Sequence, residues 1–303
     1  MIDFIGKSKI AVTISIVSVV LSLFLIVTRG LNWGVDFKGG TIMHLKLERD
    51  ADEGKIRAIL SDKLNLSSTV QGVKGSPEQV MIRTEILFDN EADGLTKDMV
   101  KKKLVEGLGF NIVDVLQATD IGPIVGSQLR DKALKSLILA VFGMLLYITW
   151  RFEFKYGLGA VIALLHDCVI TIGIFVLLQK EIDITVMAAL LTIIGYSIND
   201  TIVICDRVRE NARLIKGRSF AEVFNISINQ SLSRTINTSI TTLIPVSILF
   251  FVTSGSISNF ALAMILGVVI GTYSSMYIVA PVTVHWSAME SGHAKGAVGR
   301  KHA

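Results

Sequence analysis

Asp200 stands in the run 184–205, whose other residues are apolar enough to cross a bilayer, and Arg234 stands close to the start of another such run. A carboxylate near the centre of a membrane helix costs roughly 2.5 to 3.5 kcal/mol on insertion scales, so such residues face a protein interior or a water-filled cavity and carry a function there. The chemistry open to this pair is ion or proton movement. Counted from the ends of its run, Asp200 lies about five residues past the midpoint, on the order of 8 Å at 1.5 Å per residue. That depth is beyond the reach of its short stem to the interface. With the two runs antiparallel, Arg234 falls in the same half of the membrane, where its longer side chain is expected to pair with Asp200. Pairing favours the ionised carboxylate, and drawing the helices apart favours the protonated one, so the pair reads as a gate. The plainer alternative makes Arg234 an interfacial anchor and Asp200 a helix-end residue, which the depth of Asp200 argues against.

His166 and Asp167 form a second ionisable group at the centre of the run 156–178, where a relay and a satisfied structural hydrogen bond are both open readings. Ala188, Thr192, Gly195 and Asn199 recur at helical spacing beside Asp200, with Tyr196 and Ser197 one turn before it. This small and polar stripe is expected to face neighbouring helices rather than lipid. On the next run Arg234, Asn237, Thr238 and Thr241 share one side, and Pro245 removes the donor that would reach the carbonyl of Thr241. Ala263, Gly267, Gly271 and Ser275 make a small-residue ridge suited to close helix packing, and Pro281 is expected to kink the end of that helix.

The elements that must position these groups follow from hydropathy. The chain has 303 residues, 51% of them hydrophobic, with a mean hydropathy of +0.58, which marks a multi-pass membrane protein rather than a soluble domain. Six runs are long enough to span: 10–28, 133–150, 156–178, 184–205, 236–252 and 260–284. The first lacks a small-x-small cleavage pattern near residues 29–34 and reads as an uncleaved anchor. Arg151, Lys155, Arg207, Arg209, Arg213, Lys216 and Arg218 lie in two connecting loops, while 254–258 carries no charge. The positive-inside bias then places both termini in the cytoplasm. The net charge of +4 falls where that bias wants it, without an aromatic platform, which disfavours nucleic-acid binding. Cys168 and Cys205 both fall in spans and suggest packing rather than a disulfide or a metal site.

Between residues 29 and 132 lies one polar insertion, outside the cytoplasm on this topology. Its pattern gives a strand over 41–47, a helix over 52–64, two strands flanking the turn 72–77, a helix over 96–108 and a strand over 111–118. The expected fold class is therefore an all-α polytopic membrane domain of six transmembrane helices with an inserted α+β ferredoxin-like extracytoplasmic domain. The expected domains are 1–28 as N-terminus and first span, 29–132 as the outer domain, 133–285 as the remaining spans and 286–303 as a cytoplasmic tail. Within them, 206–235 alternates basic and apolar residues like an amphipathic helix on the inner surface, or like an ordinary charged connector. No G-x-S-x-G, H-E-x-x-H or P-loop pattern is present, so nothing supports an enzyme reading.

Several motifs resemble the SecD/SecF family of protein-export membrane proteins, within the resistance-nodulation-division superfamily. Residues 32–40, read as Asn-Trp-Gly-Val-Asp-Phe-Lys-Gly-Gly, are similar to the family's N-W-G-x-D-F-x-G-G, with Asp36, Phe37, Gly39 and Gly40 as its marked positions. Gly122-Pro123 through Gly126 precedes the second span. Residues 195–203, continuing to Asp206, Arg207 and Asn211, are similar to the family's fourth-span signature, and Arg234-Thr235 with Thr238-Ser239 and Thr241-Thr242 to the fifth. The resemblance implies proton-coupled roles for Asp200 and Arg234, and Asn199, Asp167 and His166 stand beside them as candidates from the reading of the residues themselves. It implies a SecF-like half that pairs with a separate SecD chain, beside the SecYEG channel and the SecA motor, with YajC and YidC as further candidate partners. It also implies a bacterial inner-membrane location, an emerging polypeptide as client after the SecA-driven step, and neither cofactor nor metal. Two other readings stand beside it: a non-coupled scaffold of the translocase, and a small-molecule efflux subunit, which the small outer domain disfavours.

Overall fold

The computed structural model describes residues 1–50, 52–88 and 96–299. Among them, six helical stretches are long and apolar enough to cross a membrane. They are α1 (Ser8–Arg29), α5 (Pro123–Arg151), α6 (Phe154–Leu177), α7 (Ile184–Leu214), α8 (Phe220–Val252) and a last stretch made of α9 (Gly255–Tyr277) and α10 (Val279–Gly299). Each covers one of the expected spans, α6 stopping one residue short at Leu177, and most run well beyond it. The start of α5 is set by Pro123, whose fixed φ suits a first turn, so this helix begins ten residues before the apolar run. The break between α9 and α10 falls at Ile278, where the missing N–H of Pro281 leaves the carbonyl of Tyr277 without its helical partner. At Pro245 no break occurs, and α8 continues through it. α6, α7 and α9 form the buried centre, and α1, α5 and α8 are largely exposed.

The segment 206–235 is not one surface helix. Residues up to Leu214 prolong α7, and those from Phe220 open α8. Gly217, at φ +80, turns the chain between them, and Ser219 with Glu222 forms a reciprocal capping box that starts α8. Helix continuation outcompetes a surface-lying arrangement because both halves pack on each other through Asn211, whose amide reaches Ser227 at 2.9 Å and Gln230 at 2.8 Å. The expected tail 286–303 begins inside α10, and its residues 300–303 lie outside the described residues.

The outer unit holds α2 (Val35–Lys38), β1 (Gly40–Leu47), α3 (Glu53–Leu64), β2 (Ser68–Val73), β3 (Ser76–Thr84), α4 (Lys97–Leu108) and β4 (Ile112–Ile121). Its sheet runs β2-β3-β1-β4 with every neighbouring pair antiparallel. Alternation on β1 turns Met43, Leu45 and Leu47 to one face, where Val80 and Ile82 of β3 meet Ile56 and Leu60 of α3 and Val100 and Leu104 of α4. Asp52 and Thr96 cap the two helices by accepting from Lys55 and Met99 backbone N–H groups.

The short α2 was not legible as a helix. It is closed by Gly39 and Gly40, at φ +87 and +136, and a Cβ on Gly40 would lie 2.0 Å from the carbonyl oxygen of Thr84. Only glycine fits where this turn presses against the sheet. Phe37 is buried beneath it, edge-on to Trp33.

Asp120 ties β4 to its neighbours. Burial raises its carboxyl, but hydrogen bonds from Lys97 and Thr41 and the charge of Lys97 hold it below the usual carboxylate value. A lowered folded value means stability that is present above the unfolded pKa, near 3.9, and lost as pH falls through the folded one. Wild type and Asp120→Asn should therefore converge in melting temperature as pH drops from about 5 to about 3, the difference at the upper end being under about 1 kcal/mol for so exposed a pair. A gap between them that stayed constant across that range would remove the ion pair from the account.

Candidate functional site

α7 carries Asp200 at the middle of its 31 residues and buries it to 2% exposure. The helix extends past the apolar run, so Asp200 is more central in its helix than the run alone indicates. Its Oδ1 accepts from the Thr238 hydroxyl of α8 at 3.5 Å, and its Oδ2 has no hydrogen-bond partner. That hydroxyl has one proton to give, and the carbonyls of Thr235 at 2.9 Å and Arg234 at 3.1 Å compete for it. The carboxylate is thus buried and poorly held.

The expected Asp200–Arg234 ion pair is not formed among the described residues. Thr238 is the α8 residue level with Asp200, and Arg234 lies one turn nearer the helix start with its side chain exposed. One turn is about 5.4 Å, a gap that a change of arginine rotamer or a modest helix shift closes. Asn237 and Thr241 are exposed on the same side of α8. The stripe Ala188, Thr192, Gly195 and Asn199 on α7 is exposed as well, so among the described residues no helix covers it. Tyr196 is half-buried with its hydroxyl enclosed and unpartnered.

His166 and Asp167 do meet, at 2.9 Å between Nδ1 and Oδ1. The other carboxylate oxygen accepts from Ser197 of α7 at 2.7 Å and Ser274 of α9 at 2.9 Å. Fully buried Asp167 therefore joins α6, α7 and α9 at one point, and Ser197 lines this junction rather than the Asp200 site one turn along. Ser274 is absent from the sequence reading. Its signal is the Ser274-Ser275 pair inside an otherwise apolar run, of which only Ser275 falls on the small-residue ridge. That ridge does pack closely: Ala263, Gly267, Gly271 and Ser275 are buried, and a Cβ on Gly267 would stand 2.3 Å from Ile193 of α7.

A polar latch between the outer unit and the helix ends also escaped the sequence. Arg83 of β3, 4% exposed, bonds Glu181 at 2.9 Å and Ser256 at 3.1 Å. Lys74 reaches the carbonyl of Phe250 at 2.9 Å, and its N–H donates to Ser254 at 2.8 Å. Asp36 accepts from the N–H of Ile184, the first residue of α7, at 3.1 Å. Burial pushes the Asp36 carboxyl above its usual value, against the pull of that bond. Asp36, Phe37, Gly39 and Gly40 thus shape and anchor the junction at the head of the helix that bears Asp200. Among the described residues no three His, Cys, Asp or Glu side chains gather as a metal site.

Comparison with known proteins matches residues 100–289 to the family described as protein export membrane protein SecD/SecF, C-terminal, and residues 24–51 to the SecD/SecF GG motif. The protein translocase subunit SecF of Calditerrivibrio nitroreducens is 42% identical over 91% of each chain. That of Vibrio alginolyticus is 40% identical over 93% of this chain and 89% of its own. Among solved structures, the translocon-associated membrane protein SecDF of Thermus thermophilus aligns with a TM-score of 0.82 at 32% identity, over 95% of this chain. This chain spans 39% of that one.

Proposed function

We propose, since the chain belongs to the SecD/SecF family of protein-export membrane proteins, that it serves protein export as the SecF-type subunit and couples proton movement at Asp200 to that work. The carrying observation is the Asp200 carboxylate, buried with one oxygen unpartnered, beside a polar helix face that nothing in this chain covers. Drawing the Arg234 guanidinium against this carboxylate favours its ionised form, and separating the two favours uptake of a proton. A proton taken up from outside and released inward would then accompany a shift of α7 against α8. One charge crossing 100 mV supplies about 2.3 kcal/mol, enough to bias a two-state equilibrium about fiftyfold.

A separate SecD chain is the partner we assign to the exposed stripe of α7 and the polar side of α8, since small residues there let another helix backbone approach. His166, Asp167 and Asn199 are secondary candidates for the proton path, Asp167 because it joins three helices. The outer unit reads as ferredoxin-like, on its β-α-β-β-α-β order and β2-β3-β1-β4 sheet. Through the Arg83 latch it would move with α7 and act on a polypeptide emerging after the SecA-driven step. The location that follows is the bacterial inner membrane with both termini cytoplasmic, beside SecYEG and SecA and, as further partners, YajC and YidC. The role is that of a non-enzymatic transport subunit.

Proton flux into vesicles holding the chain with its SecD partner tests the coupling. Asp200→Asn keeps the shape and removes the ionisable group, so flux and proton-dependent export should both fall to background while assembly with SecD persists. Export that stayed fully proton-dependent in that variant would leave only the scaffold role.

A further inference from the structure

α1, α6 and α10 enclose a groove of about 910 Å³ whose walls are mostly apolar, with Val12 and Ile16 on one side and Ile162, Leu165 and Val169 on another. α1 and α6 run in the same direction. A Cβ on Gly173 of α6 would meet Ser22 of α1, and seven residues earlier on both helices Ser15 and His166 share the Tyr273 side chain. The groove mouth lies at the N-terminal ends of both helices, the side proposed as cytoplasmic. There Lys9 is its cationic side chain and His285 a further nitrogen donor, both exposed, and among the described residues no acidic one lines it.

Deeper in the groove stands His166, 7% exposed, with Nε2 unpartnered. Its Nδ1 is committed to Asp167 and its Nε2 is enclosed, so the ring contributes bulk rather than a polar contact to the groove wall. Lys9 precedes Ser15 by six residues, about 9 Å at 1.5 Å per residue. The His166 side chain leans toward the N-terminal end of its helix, which narrows the gap to the mouth. A cationic mouth above an apolar channel matches, in order, a lipid phosphate and the acyl chains below it.

We propose that this groove binds one anionic phospholipid, with its phosphate at Lys9 and His285 and an acyl chain laid along α1 past His166. The site needs the chain to sit in a bilayer but does not need proton coupling, so its failure and the failure of the coupling reading are separate results.

Native mass spectrometry of the full chain, taken from bilayers that mix phosphatidylglycerol and phosphatidylcholine, tests it. One phosphatidylglycerol should stay bound through removal of the bulk lipid, while phosphatidylcholine does not. Lys9→Gln should lower that retention about fivefold, the size expected for one cation near a lipid surface, and His285→Gln should lower it further. Ile16→Trp, at an exposed position on α1, fills the channel and should abolish retention without affecting the mouth. Equal retention of both lipids, or unchanged phosphatidylglycerol in these variants, would show ordinary boundary lipid and overturn the proposal. Displacement by a few millimolar inorganic phosphate alone would overturn it too, by making the mouth a site for the free ion.

Discussion

Gly267→Leu is expected to leave little folded chain in the membrane, because the close crossing of α9 with α7 has no room for the new side chain. Even a single Cβ at that position would lie 2.3 Å from Cδ1 and Cγ1 of Ile193, and Ile193 is completely buried. Extra methylenes forced into a packed interior cost about 1–3 kcal/mol, and occasionally more. Here four carbons enter at a point where α9 meets α7, so a loss above about 3 kcal/mol is expected. The same displacement would pull Ser274 and Ser197 away from the carboxylate they share on Asp167, leaving a buried acceptor short of its donors. Gly267→Ala should be milder. Adding Ile193→Ala to Gly267→Leu returns volume at the contact and should recover much of the folded protein. Thermal melting of the purified chain and its accumulation in membranes measure the series. If Gly267→Leu melted like wild type, α7 and α9 would not be in the contact described.

The ridge that contains Gly267 was legible because small residues at four-residue spacing on a membrane helix have few other uses. The six spans and the order of outer strands and helices were legible for a similar reason, since hydropathy and alternation are local signals. Three features were not. Arg83, Glu181 and Ser256 lie far apart in sequence, and nothing local marks an arginine on an amphipathic strand as the one that turns toward another unit. The 206–235 segment carries an amphipathic pattern, but the same pattern suits two helix ends packed on each other through Asn211, and only the turn at Gly217 distinguishes them. The level of Arg234 relative to Asp200 depends on how far α7 and α8 slide along one another, a quantity fixed by side-chain packing along both helices. A displacement of one turn places Thr238 where the arginine was expected.

The shift of α7 proposed above gives the latch its interest, because a helix that moves needs something at its end to move with it. α7 begins at Ile184, one residue after its cap Asp183, and the residues on either side are gripped by the outer unit. Glu181 holds Arg83, and the N–H of Ile184 is held by Asp36. An α-helix shifts along its axis nearly as a rod, so a shift at Asp200 would reach Ile184 almost undiminished and act on Glu181 three residues before it. The pair must then break or draw β3 with it. Arg83→Glu is therefore expected to be severe, since it sets two carboxylates together where one ion pair stood. Removing a single partner from a buried pair costs about 3–5 kcal/mol, and the 12% exposure of Glu181 puts this pair toward the lower end. Combining Arg83→Glu with Glu181→Arg restores opposite charges across the junction and should regain much of the melting temperature, although Ser256 loses its bond to the guanidinium. Export separates the two roles of the latch. A pair that only docks the outer unit would lose export in proportion to folded protein. A pair that transmits the movement of α7 would lose proton-dependent export in the single variant beyond its loss of folded chain, and regain it in the double variant. Full export by the folded fraction of Arg83→Glu would show that the outer unit takes its movement from elsewhere.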